Sequence, residues 1–492
     1  MSDEYDDHQD GNEKGTEDVR SGSTTAGSHK SLSIRDDQAE LEEVSLHDEQ
    51  DADEIRSKHE SVPRQSSQDL KRVASNVLTK VASRFTTRSI VNPPPAPDGG
   101  VSAWTQVAMG WIVVFTSWGW VNSYGAFQSY YTLTLERPGS TISWIGSLQN
   151  FFTFFIGVFS GRASDAGYFM PVVILGILVQ LVGIFLMSLS TRYYQFLLTQ
   201  GVMTGIGGGL FFTPAMGVVG TYFSTKRALA IGIVTTGNSV GGMIYPVLVQ
   251  QLLPKLGFAW TTRVLGFLNL GMLSIVLVFM RPRMPPRKSG PMVDFSAFKE
   301  PTYAFLVAGL CLVMWAVYFT FYYLSSYGIE VVGMPFNAAI TITILVNGVG
   351  VPARLIPPLF ASRFGQLNTM IPIFVYLTIV SFSWIAVRTS AGTYTFAVFY
   401  GIGSSAFQCL LPSTVASITP NMNAFGTRLG MAFGAISFAT LTGPSIGGAI
   451  QNAMGGKYLG AQLWSAVATL TGVAFVVTSR MVKARGKIHS KC

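Results

Sequence analysis

Arg354, in the stretch GVPARLIPPLF, is the one charged residue near the middle of any long apolar run in this chain. A cation in hydrocarbon costs a few kcal/mol on insertion scales, and such residues usually face an interior cavity. A guanidinium in a dry cavity offers a planar fork of donors, which suits a carboxylate or another planar anionic group. Asn347 stands seven residues earlier, on the same face of a helix. The alternative is an arginine that snorkels to a helix end, and the nearness of Arg363 keeps that reading open. The other polar groups that could converge on Arg354 are neutral. Asn122, Tyr124 and Gln128 share one run, Thr235, Thr236 and Asn238 a second, Tyr318 and Tyr322 a third, and Ser404 and Gln408 a fourth. Each alone could be an interhelical hydrogen bond, worth about 0.6 kcal/mol. Gathered around one cation, amides and aromatics suit a larger, partly aromatic or polyfunctional acid better than a small one.

A second chemical pattern runs from Tyr222 to Gly242, YFSTKRALAIGIVTTGNSVGG. Lys226 and Arg227 belong in water against anionic headgroups, and from Ala228 onward the segment enters hydrocarbon. Gly237 and Gly241, four apart, allow another helix to approach closely on that face. Gly201, Gly205 and Gly209, Gly430 with Gly434, and Gly443 with Gly447 form further smooth ridges, for tight static packing or for sliding.

These residues need membrane helices to position them. The 492 residues are 49% hydrophobic and 12% charged, far from an ordinary soluble chain. Crossing the hydrocarbon takes roughly 20 residues, and the apolar runs place spans at 105–131, 142–160, 170–190, 194–218, 228–252, 261–280, 302–328, 336–360, 370–387, 393–417, 428–450 and 458–481. The expectation is an all-α membrane protein of twelve spans. The segment 281–301, rich in Pro, Arg and Lys, divides it into six-helix halves at 98–280 and 302–481. A weak internal repeat fits: FSGRASDAGYFMP after the second span and LFASRFGQLNTMIP after the eighth each carry an Arg, a Gly and a following Pro.

The net charge of +8 adds an acidic tail to a basic membrane domain. Residues 1–69 are too polar to bury a core and predict a disordered tail, within a tail region ending at 97. From Leu70 the sign flips, giving a basic juxtamembrane flank or a short helix on the anionic inner leaflet. The end, 482–492, is again basic. Cations concentrate on one side of the spans: Arg162, Lys226, Arg227, Arg281, Arg283, Arg287, Lys288, Lys299, Arg363, Arg428 and the C-terminal tail. The positive-inside rule then places both termini in the cytoplasm, with the plasma membrane the expected location and membrane lipid the surrounding partner. The acidic, polar start predicts no secretory leader.

Several classes are excluded. The basic residues sit between apolar runs and form no nucleic-acid footprint. Cys311, Cys409 and Cys492 show no paired or metal-binding spacing. The spans hold no His, no paired carboxylates and no nucleophile–base neighbours, so a membrane enzyme, a metal site or a cofactor finds no residues to work with. There is no phosphate-binding loop for ATP-driven pumping.

The Tyr222–Gly242 pattern resembles the fifth-helix signature of the monocarboxylate transporter family of the major facilitator superfamily. Asp98-Gly99-Gly100 with Trp104 resembles that family's approach to its first helix, and Gly350 to Pro357 its buried arginine site. Gly161, Asp165 and Gly167 resemble the superfamily's loop motif, in which a carboxylate and cations, here Asp165 and Arg162, latch the cytoplasmic side; the Arg usual after the Asp is Ala166 here. The likeness spans the membrane domain and implies the major facilitator fold and secondary transport by alternating access. With the polar residues read above, the expected substrate contacts are Arg354, Asn347, Gln128, Tyr124, Asn122, Tyr318, Tyr322 and Gln408, and the expected conformational residues are Asp165, Arg162, Lys226, Arg227, Gly237 and Gly241. The family's proton-coupled members carry an Asp and a Lys where this chain has Gly350 and Gln128. The long charged tail resembles fungal members, which include importers of acids or vitamins and exporters of secondary metabolites. A nutrient receptor signalling through its tail is the alternative of another class.

Overall fold

The computed structural model describes residues 96–224, 226–284, 294–419 and 425–485. The acidic tail, the surface helix from Leu70, most of the central linker and the basic end expected from the sequence lie outside them.

Every described regular element is helical. In lipid each backbone N–H and C=O needs an internal partner, and a helix supplies one within its own segment. The N-terminal half comprises α1 (Gly100–Val114), α2 (Tyr124–Leu135), α3 (Gly139–Ala163), α4 (Phe169–Met187), α5 (Thr204–Tyr222) and α6 (Arg227–Phe279). The C-terminal half opens with α7 (Pro301–Glu330), α8 (Phe336–Gly348), α9 (Gly350–Phe364) and α10 (Gln366–Ser383). It closes with α11 (Ser390–Ile418), α12 (Phe425–Ala453) and α13 (Leu459–Lys483). Nine helical stretches among the described residues are long and apolar enough to cross a membrane. Two of them, Gly139–Met187 and Leu229–Phe279, run for 49 and 51 residues, about twice what a crossing needs. Each is broken by a glycine at positive φ, Gly167 (98°) and Gly257 (70°). A side chain there would be strained, so glycine lets the chain turn back.

Two spans carry local irregularities while their backbone stays helical. The first passes from α1 through a π-helical turn, Phe115–Gly119, to a junction at Ser123 before α2. The eighth joins α8 to α9 through Val349, whose φ of −67° and ψ of −17° are right-handed helical. Both irregularities fall beside polar residues.

The glycine ridges differ in use. A Cβ on Gly201, Gly205 or Gly209 would lie 2.7–2.9 Å from carbonyl oxygens of α3, so this ridge seats α5 tightly on α3. Gly443 stands likewise against the Trp315 carbonyl of α7 at 2.7 Å. Gly434 has nothing within 4 Å, and Gly430 meets only Val158. At Gly241 a Cβ would lie 2.6 Å from the Phe115 carbonyl oxygen and 2.8 Å from Gly119 Cα, and at Gly237 it would strike the Trp111 carbonyl. The close helix approach expected at this pair is thus made by the first span, within the N-terminal half.

Candidate substrate site

Arg354 lies where α9 meets α6 and α11, and it is 2% exposed. It is held inside the bundle, which removes the snorkelling alternative. Its Nε donates to Ser239 Oγ at 2.9 Å and its Nη2 to Gln408 Oε1 at 3.2 Å. With its amide oxygen toward the guanidinium, Asn238 accepts from Nη2 at 2.8 Å and donates to the Trp118 carbonyl at 3.2 Å. That orientation is assigned from the partners, since the opposite one faces like with like. The Asn122 amide meets Asn238 at 2.7 Å. Three neutral acceptors therefore hold the cation, two from the N-terminal half and one from its own. The described acidic residues, Asp98, Glu136, Asp165, Asp294, Glu300 and Glu330, all stand at helix ends or in connections. A buried guanidinium with neutral partners retains an electrostatic preference for an anion that a salt-bridged one would have spent.

The tyrosines extend the site toward α2 and α3. Tyr318 is within electrostatic reach of Arg354 and of Asn150. Tyr322 stacks edge-on to Tyr124, ring centroids 4.7 Å apart, and donates to the Gly146 carbonyl at 2.9 Å. Tyr124 donates to the Ile142 carbonyl at 2.6 Å. These hydroxyls are thus committed to backbone, and their rings form an aromatic wall between the halves. Gln128, Gln149 and Asn150 are at most 1% exposed, and neither polar atom of any of the three side-chain amides has a hydrogen-bond partner; Gln408 Nε2 also lacks one. Buried unpaired amides cost about 1–3 kcal/mol each, which is sustained where a polar ligand or water enters.

Asn347 is placed differently. It donates to the Thr343 carbonyl one turn back, and a Cβ on Gly242 of α6 would lie 2.6 Å from its Cγ. Arg354 faces the same helix, one turn away at Ser239. Gly350 is enclosed by serines: a Cβ there would sit 2.5 Å from Ser239 Oγ and against Ser405 Oγ. Where proton-coupled relatives of the resembled family carry a carboxylate, this chain thus has two hydroxyls in the adjoining space.

Of the residues expected to govern conformation, Lys226 and Arg227 stand at the start of α6. Both are exposed, and Arg227 Nε donates to the Phe223 carbonyl at 3.0 Å. Two motifs 126 residues apart meet there. The Asp98 carboxylate accepts from Ser224 N at 2.5 Å and from the Ser224 hydroxyl, and Asp98 N donates to the Tyr222 carbonyl at 3.1 Å. Trp104 and Phe223 close the joint with rings 5.5 Å apart. Arg162 ends α3, and Asp165 lies in the π-helical turn Ser164–Tyr168 that follows.

Residues 109–447 match the family described as Major Facilitator Superfamily. The chain belongs to this superfamily. It is 42% identical over 395 residues to an MFS-type transporter of Gibberella zeae, covering 80% of this chain and 89% of that one. It is 33% identical to the aspyridones efflux protein apdF of Emericella nidulans (83% and 85% covered) and 34% identical to the fujikurins efflux protein of Gibberella fujikuroi (78% and 84%). In fold it is similar to a bacterial homologue of the human lysosomal transporter Spinster, with a TM-score of 0.54 at 16% identity, covering 78% of this chain and 96% of that one. This major facilitator protein is a multi-pass secondary transporter, and the receptor alternative is not favoured.

Sequence reasoning left three of the transporter's central residues out of its site: Ser239, Gln149 and Asn150. Asn238 was noted only as a polar member of its run. The Gln149–Asn150 pair, in SLQNFFTFF, is as polar an intrusion into a span as Gln128, and that signal could have found it. Ser239 carries no such signal, because serine is common in membrane helices and bonds readily to its own backbone.

Proposed function

We propose that this transporter moves a polyfunctional small acid, an enolic or carboxylic secondary metabolite, out of the cell by alternating access. The observation that carries this reading is Arg354, buried and held only by Ser239, Asn238 and Gln408 among the described residues. An anionic oxygen would add an attraction between opposite charges that the neutral oxygens of Ser239, Asn238 and Gln408 cannot supply. The unpaired amides of Gln128, Gln149 and Asn150 and the ring wall of Tyr124, Tyr318 and Tyr322 suit the neutral polar and aromatic parts of such a molecule. The efflux names of two relatives support the outward direction, and the arginine site supports membership in the fungal branch that resembles monocarboxylate transporters.

The mechanism follows from which bonds cross between the halves. At one end Asn452 Nδ2 donates to Ser140 Oγ at 2.6 Å and Gln250 Nε2 to the Asn337 carbonyl at 2.8 Å, each joining one half to the other. At the other end each half is tied to itself, by Tyr222 to the Arg281 carbonyl (3.0 Å) in one and by the Arg428–Glu300 ion pair in the other. In the middle, Arg354 of the C-terminal half is bonded to Ser239 and Asn238 of the N-terminal half. Substrate that takes over the guanidinium releases those two groups, and this loosens the halves at the pivot. In this reading the end with Arg281, Glu300 and Arg428 is cytoplasmic, with both termini on that side and the protein in the plasma membrane. Twelve crossings result when the two broken stretches each count twice and Gly100–Leu135 once.

Comparing metabolites inside and outside cells with and without the protein tests direction and class. Intracellular build-up of an acidic metabolite on deletion is expected. Depletion inside with build-up outside would establish uptake, and no change in any acidic metabolite would refute the anion reading.

A further inference from the structure

A cavity of about 1220 Å³ lies between α9, α10 and α11, and Arg354, Tyr124, Tyr318 and Tyr322 do not line it. It exceeds the roughly 300–1,000 Å³ of a pocket for a drug-sized ligand. Its space arises from sequence. Ala353, Gly403 and Ala406 carry little side chain, and Pro357 and Pro372 each lack the N–H that would continue a regular turn. The groove opens sideways: Ile356 and Phe360 on its rim are 50% and 53% exposed. In a membrane-spanning bundle, such faces meet acyl chains.

Only one end is charged. Arg363 and Arg480 line it together. Arg480 is positioned by Asn368, whose Oδ1 accepts from its Nε at 2.9 Å. Arg363 is exposed, its guanidinium 5.8 Å from the Phe364 ring centroid, with no carboxylate paired to it among the described residues. We propose that this groove seats one anionic phospholipid, its phosphate between Arg363 and Arg480 and an acyl chain along Ile356 and Phe360. A free phosphate would use the cations and leave the apolar walls uncovered. The acidic stretch 1–69 of this chain matches the charge, but its few Leu, Ile and Val are scattered among charged and polar residues and form no long apolar run for the walls, and the basic C-terminal residues are repelled.

Interaction with an anionic lipid is worth about 1 kcal/mol per cation at the membrane surface, roughly fivefold in affinity. The test uses the full chain in micelles holding equal phosphatidylglycerol and phosphatidylcholine, with retained lipid weighed by native mass spectrometry. The wild-type chain is expected to retain phosphatidylglycerol preferentially. Arg363→Gln should cut that preference roughly fivefold, and Ile402→Trp, which adds bulk at a rim position, should lower retention of both lipids. Equal retention by the wild type, or an unchanged preference in Arg363→Gln, overturns the proposal. So does thermal protection by inorganic phosphate equal to that by phosphatidylglycerol, or a two-chain mass that disappears in Ile402→Trp.

Discussion

Replacing Gly241 with alanine tests how the first span is held against α6. The added Cβ would sit 2.8 Å from Gly119 Cα and 2.6 Å from the Phe115 carbonyl oxygen. Carbon atoms prefer about 3.5–4.0 Å, so at least about 0.7 Å must be relieved. Both obstacles are backbone, and no rotamer change can supply that relief. Overpacking of this kind costs about 1–3 kcal/mol, while alanine in place of glycine within a helix returns about 0.5–1 kcal/mol. Gly217→Ala cancels the second term, because Gly217 is helical and a Cβ there has nothing within 4 Å. The difference between the two variants should therefore be about 1–3 kcal/mol, roughly 5- to 150-fold in the folded-to-unfolded ratio. Unfolding by sodium dodecyl sulfate in mixed micelles, followed by tryptophan fluorescence, measures it. Gly119→Ala strikes the same contact from the other side, with its Cβ 2.6 Å from Gly241 Cα, so the double variant should be less than additive. Equal stabilities of the Gly241→Ala and Gly217→Ala proteins would refute the close approach.

The other predictions concern function. Arg354→Ala should abolish transport, with Arg354→Lys a poor substitute because an ammonium cannot serve Ser239, Asn238 and Gln408 as a planar fork does; undiminished flux in the alanine variant would remove the anion site. Asn150→Leu should lower transport at least tenfold while leaving expression unchanged, because it removes the amide beside Tyr318 and Tyr322 and keeps a similar volume; a fall in stability with normal transport per molecule would mark Asn150 as structural. A cysteine pair at Ser140 and Asn452 joined by a short bis-thiol reagent should stop turnover, and continued transport by the linked protein would show that this end does not open. In proteoliposomes an imposed pH gradient without a substrate gradient should drive no accumulation beyond that set by the substrate's own ionisation, since the central cluster among the described residues has no carboxylate or histidine. Uphill accumulation of a substrate that does not titrate in the range used would reveal a proton carrier.

Local chemistry was enough for much of this. Run length and the demand that buried backbone bond to itself determined an all-helical membrane bundle, and the cost of a lone cation in hydrocarbon singled out Arg354. Those inferences needed only neighbours along the chain. The tertiary structure decided what depends on the rotation of whole helices. It set Asn347 against Gly242 and Arg354 against Ser239, both on α6. Contact across spans brought Ser239 and Asn238 onto the guanidinium, set Asn150 beside Tyr318, and joined Asp98 to Ser224. An apolar run records that a segment crosses lipid, but every face of such a run is nearly equally soluble there. Which polar residue meets which is therefore settled by packing between helices, a property that no single segment carries.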